Sequence, residues 1–310
     1  MTATVLAIGE ALVDVVDSGV EGQEPSEHPG GSPLNIAFGV ARLGHPAELL
    51  TAVGTDARGR VIAEHLRSAG VGLAPGSLRA EPTSSATAHL QADGSAEYEF
   101  DLRWSLPLVF EGPVADIVHT GSIAAFLEPG GSQVTALLSR LAASATPPLI
   151  TVDPNMRPSI VTDHPAALAR FDELAGLAAV LKLSDEDAAW LFPEAGLDEA
   201  IDRILRLGPA LVVVTRGGDG AVLATSALRV PVAGVPVEVV DTIGAGDSFM
   251  SALIVQLAEM LDGGVDAADL RDGRAFDRVT LERLGSFAAR CAGVTVSRAG
   301  ANPPTRADLA

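Results

Sequence analysis

Short apolar runs alternate with amphipathic stretches along most of the 310-residue chain. Compact apolar runs are typical of strands that are covered on both faces of a sheet. Six of them are TVLAIG (4–9), AELLTAV (47–53), DIVHTGS (116–122), PLITVDP (148–154), AVLKLS (179–184) and ALVVVTRG (210–217). One amphipathic stretch begins at Ser32, with Pro33 at the first helical position, and ends at Gly44, and another extends from about Asp56 to Gly70. Strand, helix and strand in this order predict a parallel sheet with helices on both faces.

Two segments, 11–19 and 85–104, alternate instead like exposed antiparallel strands, and Asp93-Gly94 is typical of a hairpin turn. Neither segment is long enough for a domain of its own. We therefore expect one domain over 1–310 with a small β-sheet lid formed by about 11–30 and 85–105. Its exposed β edge would suit pairing of two copies into a homodimer. The stretch 263–280 is expected to be a surface excursion between two helices.

The charge and the lone cysteine narrow the class of protein. The chain has 40 acidic and 21 Lys or Arg residues, a net charge of -19, and a single Lys, Lys182. Such an acidic surface disfavours nucleic acid and anionic membranes as partners. Cys291 has no partner for a disulfide, no apolar run is long enough to span a membrane, and the first residues lack the basic start of a signal peptide. A cytoplasmic protein that acts on small molecules is expected.

Several familiar motifs are missing. Lys182 does not stand in a P-loop, no Gly-x-Gly-x-x-Gly follows a strand, and no Gly-x-Ser-x-Gly is present. The six histidines show no spacing typical of a zinc site. Dinucleotide-binding, zinc-dependent and serine-hydrolase functions are therefore disfavoured.

The segment 237–261, VEVVDTIGAGDSFMSALIVQLAEML, carries the strongest chemical signal. It predicts a β-type run ending at Asp241-Thr242, a turn through Gly244-Ala245-Gly246, and a helix from Asp247. Two glycines at a helix entrance let backbone N–H groups converge, and the helix dipole adds positive potential there, which suits an anion. Asp247 beside such a site is either a general base or simply an N-cap, and the sequence leaves both open.

Seven motifs along the chain resemble those of the ribokinase-like (PfkB) carbohydrate kinases. In order they are GEALVD (9–14), GGSPLN (30–35), DPNMR (153–157), KLSDED (182–187), TRGGDG (215–220), DTIGAGDSF (241–249) and GANP (300–303). The resemblance covers essentially the whole chain. It implies a three-layer, doubly wound, mostly parallel α/β sheet of about nine strands with a small β-sheet lid. It also implies transfer of the γ-phosphoryl group of ATP to a sugar hydroxyl.

The resemblance assigns roles on the sugar side of the reaction. Asp247 would be the base, and the N–H groups of Gly244, Ala245 and Gly246 would stabilise the transferred phosphoryl group. Asp14 would bind sugar hydroxyls, with Gly30 and Gly31 at a hinge. The remaining substrate-binding residues would be Asn35, Arg103 and Arg157.

On the nucleotide side, the family often has Asn and Glu three residues apart near magnesium-bound water, where this chain has Ser184 and Asp187. Asp187 is therefore expected to bind Mg²⁺ through water, next to Lys182. Thr215, Gly217, Gly220 and Asn302 lie where the family binds the nucleotide. In potassium-activated members a monovalent cation would be surrounded at the positions of Asp241, Ile243, Thr295, Arg298 and Gly300.

The GEALVD, DPNMR and LSDE segments together resemble fructokinases most. Fructose is therefore the expected sugar, with 2-keto-3-deoxygluconate kinase and ribokinase as alternatives. A different class, a non-catalytic sugar-binding protein on the same scaffold, would be expected to have lost the base or the glycines of the turn, and this chain retains all of them.

Overall fold

The computed structural model describes residues 2–18, 22, 24–90, 96–107 and 115–310. The strands are β1 (Val5–Ile8), β2 (Leu12–Asp17), β3 (Ser26–Gly30), β4 (Ala47–Leu50), β5 (Val53–Gly54), β6 (Gly72–Leu73), β7 (Leu78–Arg79), β8 (Ser85–Leu90), β9 (Ala96–Asp101), β10 (Ile117–Gly121), β11 (Leu149–Asp153), β12 (Val180–Ser184), β13 (Leu211–Thr215), β14 (Ala221–Ala224) and β15 (Arg229–Val232). The helices are α1 (Ser32–Arg42), α2 (Ala57–Ser68), α3 (Ser122–Phe126), α4 (Gly130–Ala142), α5 (His164–Leu177), α6 (Asp185–Leu191), α7 (Leu197–Leu207), α8 (Ala245–Asp262), α9 (Ala267–Arg271) and α10 (Arg278–Val296).

The six predicted apolar runs all form strands of the main sheet, and β5 takes up the end of the second run. In the described chain the strand order is β15-β14-β13-β12-β11-β10-β1-β4-β6, parallel except at the β13, β14 and β15 edge. Alternate residues of β1 belong to two different hydrophobic cores: Val5 to the core that includes residues of α1, α8 and α10, and Leu6 to the core that includes residues of α4, α5 and α7. This confirms the three-layer, doubly wound α/β fold.

A second, smaller sheet has the order β3-β2-β8-β9. The β2/β3 and β8/β9 pairs are antiparallel as expected, whereas β2 and β8 pair in parallel, with Val13 opposite Ser85. Strand β3 is not predicted from the sequence, because its segment SEHPG lacks apolar alternation and contains Pro29. A proline is tolerated there because β3 is an edge strand. The predicted turn at Asp93-Gly94 lies outside the described residues.

One prediction about local structure is wrong. The run before Asp241 is not a strand: Val239 is 63% exposed, and the N–H groups of Val240 and Asp241 donate to the carbonyl of Val296 at the end of α10 instead of to a neighbouring strand. The stretch 263–280 lies between α8 and α10 and is mostly exposed or half-buried, as expected; within it the chain also forms the short helix α9, which Asp266 caps and which buries Leu270 completely. None of the helices in the described ranges combines the length and apolarity that a membrane crossing requires.

Helices α1 and α8 cross in close contact. Ser251 Oγ lies 3.1 Å from the carbonyl oxygen of Ile36 on the other helix, and a Cβ added at Gly39 would lie 2.4 Å from the same Oγ. The absence of a side chain at Gly39 therefore sets how closely the two helices approach. Their first turns consequently lie side by side at one edge of the sheet.

We expect Gly39→Ala to lower the free energy of unfolding by about 1–3 kcal/mol, because the added methyl group overpacks the crossing of α1 and α8. Urea denaturation of the variant and the wild type measures the difference. Gly176→Ala is the matched control: it also lies in a helix, its added Cβ would meet nothing closer than 3.6 Å, and it should be neutral or stabilising by up to about 1 kcal/mol. Equal stability of Gly39→Ala and wild type would contradict the packing argument.

Candidate active site

The carboxyl ends of the parallel strands meet one edge of the main sheet, where open α/β folds bind their ligands. A cavity of about 560 Å³ lies there, between the sheet and the small β3-β2-β8-β9 sheet. Its lining includes Glu10, Leu12, Asp14, Gly31, Ser32, Asn35, Ala86, Tyr98, Phe100, Ser122, Asn155, Arg157, Thr242, Ile243, Gly244, Gly246 and Asp247. The structure therefore brings most of the predicted sugar-side residues into one space.

Asp247 is the third residue of α8 and is 9% exposed. Its Oδ1 accepts a hydrogen bond from the Ser32 hydroxyl at 2.6 Å, and its Oδ2 accepts one from the Asn35 side-chain amide at 2.8 Å. Both donors come from the first turn of α1. The N-cap alternative is wrong, because Gly244 occupies the cap position and the carboxylate bonds to side chains of another helix. Asn35, predicted to bind the sugar, here holds the carboxylate.

The turn before α8 has the shape that the two glycines predict. Gly244 has φ 75°, and a Cβ there would lie 2.7 Å from Cβ of Ala301. The N–H of Ala245 donates to the carbonyl of Thr242 at 3.3 Å, so it is partly used within the turn. In the described part of the chain the N–H groups of Gly246 and Asp247 have no such acceptor. Together with the helix dipole they can receive an anion.

A buried ion pair lies beneath this turn. Lys182 Nζ is 2.7 Å from Asp153 Oδ2, and a Cβ at Gly246 would lie 3.4 Å from the same Nζ. Burial raises the pKa of Asp153 to about 6, against the opposing effect of Lys182. Burial, together with Lys182, lowers the pKa of His119 to about 3, so this imidazole stays neutral. Lys182 is thus a fixed, paired charge under the anion site.

Ser184 and Asp187 form a capping box at the start of α6. Asp187 Oδ2 accepts from the N–H of Ser184, and Oδ1 accepts from the N–H of Met156 at 2.8 Å. Both carboxylate oxygens therefore already bind backbone. Within the described ranges, no three His, Cys, Asp or Glu side chains are grouped so that they could hold a metal ion. The binding of Mg²⁺ to Asp187 through water stays a prediction.

The small sheet contributes Asp14 and two aromatic side chains to the cavity. A Cβ at Gly30 would lie 2.1 Å from Asp14 Oδ2, so the carboxylate occupies the space that a side chain would need. Burial raises the pKa of Asp14, although His28 and Arg157 lower it. Tyr98 and Phe100 stack with ring centroids 6.0 Å apart. They were not singled out in the sequence.

Other predicted residues lie outside this cavity. Arg103 pairs with Asp101 at 3.1 Å and borders a separate cavity with Trp104. Asn302 Oδ1 accepts a hydrogen bond from Arg42 Nη1 at 3.0 Å. Thr215 is the last residue of β13, and Gly217 and Gly220 lie in the connection from β13 to β14. A Cβ at Gly220 would lie 2.0 Å from the carbonyl oxygen of Val232, so no side chain fits there.

The predicted monovalent-cation residues lie in two segments, one before α8 and one at the end of α10, which Asp241 joins by a hydrogen bond. Asp241 Oδ1 accepts from the N–H of Ile243 at 3.0 Å, and Oδ2 accepts from the N–H of Gly300 at 2.9 Å. These two hydrogen bonds lower the pKa of Asp241. The carbonyls of Thr295 and Gly300 accept from the N–H groups of Arg298 and Asn302, which leaves each carbonyl one further lone pair.

Glu10 is the most informative residue that the sequence reasoning missed. It lines the cavity, is 5% exposed, and accepts hydrogen bonds from the N–H groups of Ser32 and Ala124. Burial outweighs these bonds and raises its pKa from 4.5 to about 7. A signal was available, since Glu10 stands two residues after an apolar strand that ends at the binding edge of the sheet.

We expect wild type to lose stability relative to Glu10→Gln as the pH rises from 5 to 8. Because the folded state holds the Glu10 proton up to about pH 7 and the unfolded state releases it near 4.5, stability is lost across this window. The full shift corresponds to roughly 3 kcal/mol. Urea unfolding at several pH values measures it. Asp277→Asn removes an exposed cap whose pKa is lowered, and should show no trend in this range; a pH-independent Glu10→Gln difference would contradict the raised pKa.

Known proteins have similar sequences and the same fold. The profile of the "pfkB family carbohydrate kinase" sequences matches residues 2–308. A fructokinase of Rhizobium leguminosarum bv. trifolii is 33% identical, over 82% of this chain and 79% of its own. A fructokinase of Salmonella typhimurium is 30% identical, over 97% of this chain and 95% of its own.

Among solved structures, a fructokinase double mutant of Vibrio cholerae O395 is similar with a TM-score of 0.83 and 26% identity, over 99% of this chain and 97% of that one. That protein was crystallised in a form bound to fructose, ADP and a potassium ion. The match of the family profile to nearly all residues confirms the resemblance inferred from the seven motifs. This chain belongs to the pfkB family of carbohydrate kinases.

Proposed function

We propose that this protein is an ATP-dependent fructokinase, which transfers the γ-phosphoryl group of ATP to a hydroxyl of fructose. The observation that carries the proposal is the Asp247 carboxylate. It lies in the first turn of α8, accepts hydrogen bonds from Ser32 and Asn35, and lines the cavity. The similar proteins named fructokinase support fructose as the acceptor.

In this proposal a fructose hydroxyl lies against Asp247, which accepts its proton as the oxygen attacks the γ-phosphorus. The new O–P bond forms while the bond to the leaving ADP breaks. The N–H groups at the start of α8 stabilise the negative charge on the oxygens of the transferred phosphoryl group. Little further covalent chemistry is required, so positioning of the two substrates contributes most of the rest.

The charges around the cavity favour a neutral sugar. Three carboxylates line it, those of Glu10, Asp14 and Asp247, and Arg157 is the one basic side chain among the described lining residues. Arg157 Nη1 already donates to oxygens of Asn155 and Met156. The acidic side chains would therefore repel a phosphate group or a carboxylate on the sugar. This supports fructose or ribose over a phosphosugar or 2-keto-3-deoxygluconate.

We assign the nucleotide to the side of the α8 turn that carries Thr215, Gly217, Gly220 and Asn302. Mg²⁺ would be held mainly by the phosphates and by water bound to Asp187, and it would supply positive charge to the phosphoryl oxygens. The two segments at Asp241 and Gly300, joined by the hydrogen bond between these residues, are proposed to bind K⁺ through backbone carbonyls, as the potassium ion in the similar Vibrio structure suggests. The small sheet is proposed to close over the sugar as a lid.

The proposal is tested with a panel of fructose, ribose, 2-keto-3-deoxygluconate and adenosine, with ADP release followed by a coupled assay. We expect the highest kcat/KM for fructose. A preference for another sugar would replace the substrate but keep the kinase. Binding of fructose without ADP release from any acceptor would instead identify a non-catalytic sugar-binding protein.

We expect Asp247→Asn to lower kcat about a hundredfold or more, since general-base catalysis typically contributes about 10² to 10⁴. Sugar and ATP KM should change only several-fold, because asparagine keeps the shape of the side chain. Steady-state kinetics measures both quantities. Asp266→Asn, at the cap of the remote helix α9, is the control and should leave kcat unchanged. A near-normal kcat for Asp247→Asn would exclude Asp247 as the base.

A further inference from the structure

Glu10 lies where two helices begin without a cap of their own. Neither α1, which follows Gly31, nor α3, which follows Gly121, has a side-chain cap. Glycine is required at both positions: a Cβ at Gly31 would lie 2.6 Å from the carbonyl oxygen of Glu10, and one at Gly121 would lie 1.7 Å from that of Asp153. The first N–H groups of both helices therefore need an acceptor from elsewhere.

The carboxylate of Glu10 supplies that acceptor to both helices. Oε1 accepts from the N–H of Ser32, the first residue of α1, at 3.3 Å, and Oε2 accepts from the N–H of Ala124 in α3 at 3.0 Å. The approach is tight, since a Cβ at Gly9 would lie 2.3 Å from Pro33 Cγ. Glu10 thus fixes the position of the first turn of α1 relative to the sheet.

The same turn holds the base. The backbone of Ser32 bonds to Glu10, and its hydroxyl bonds to Asp247 Oδ1 at 2.6 Å. A rotation or shift of this turn would carry Ser32 and Asn35 with it and would turn the carboxylate that they hold. Phosphoryl transfer is sensitive to such changes, because a displacement of about 1 Å can cost about a hundredfold in rate.

We propose that Glu10 is a positioning residue for catalysis, which acts through Ser32 to aim the Asp247 carboxylate at the acceptor hydroxyl. Because both Glu10 oxygens already bind backbone N–H groups, its contribution to the rate comes from these bonds. The inference rests on the proposed function, in which Asp247 is the base.

The test is a kinetic double-mutant cycle on the full-length enzyme with Glu10→Gln, Ser32→Ala and both together. Each single variant should lower kcat about tenfold with sugar and ATP KM within about threefold, and the double variant should also lose about tenfold, because the two residues act in one chain. Independent roles would multiply to about a hundredfold. If Glu10→Gln does not fold, Glu10→Asp, which is too short to span both N–H groups, replaces it.

A second cycle needs no activity. Glu10 and Asp247 share no direct hydrogen bond. The effects of Glu10→Gln and Asp247→Asn on the equilibrium constant for unfolding in urea should therefore multiply unless Ser32 couples the two residues. We expect the double variant to depart from the product by about fivefold or more. Asp277→Asn, at the cap of α10, should by itself leave kcat unchanged, and paired with Asp247→Asn it should show no departure from the product.

The two proposals fail in different ways. If wild type phosphorylates no sugar of the panel, the proposed function fails and the unfolding cycle still decides whether Glu10 and Asp247 are coupled. If wild type is active, three results would each overturn the positioning role. They are a multiplicative loss of kcat in the first cycle, an unchanged kcat for Glu10→Gln, and, in the second cycle, a double variant whose unfolding constant lies within twofold of the product of the single effects.

Discussion

Both oxygens of one nearly buried carboxylate, Asp247, accept hydrogen bonds from the first turn of a neighbouring helix. A carboxylate removed from water needs such donors, since an unpaired buried charge is costly. The donors can reach it only because α1 and α8 approach closely at Gly39 and Ser251. The crossing of the two helices, one turn beyond Asn35 and Asp247, therefore determines where this carboxylate stands.

Charge is distributed unevenly around this site. The cavity is lined by carboxylates in a protein that is already strongly acidic. The single lysine of the protein, Lys182, forms a buried ion pair with Asp153 beneath the α8 turn. An incoming nucleotide therefore depends on short-range contributions: backbone N–H groups, the helix dipole and its own counter-ions. Such a site binds a polyanion locally without attracting anions over the whole surface.

The sequence predicted the layers of the fold because parallel strands buried on both faces are uniformly apolar, and the glycines of the α8 turn because few other residues fit there. It failed where pairing is decided by distant partners. The run before Asp241 has strand composition but bonds to the end of α10, and β3 lacks strand composition but pairs with β2. The contacts of Asn35, Glu10 and Ser32 escaped prediction because hydrogen-bond partners some 20 to 210 positions away leave no mark in local spacing.

The sheet that covers the cavity is joined to α1 almost without a connection: β3 ends at Gly30, and the helix begins at Ser32. Any exchange of this sheet between related enzymes, whether by evolution or by design, therefore replaces or strains the turn that holds Asp247. Chimaeras that seek a new sugar preference would have to transplant residues 10–35 as one unit together with their partner strands. New specificity in this scaffold is thereby easier to reach by substituting side chains such as Tyr98 and Phe100 than by recombining segments.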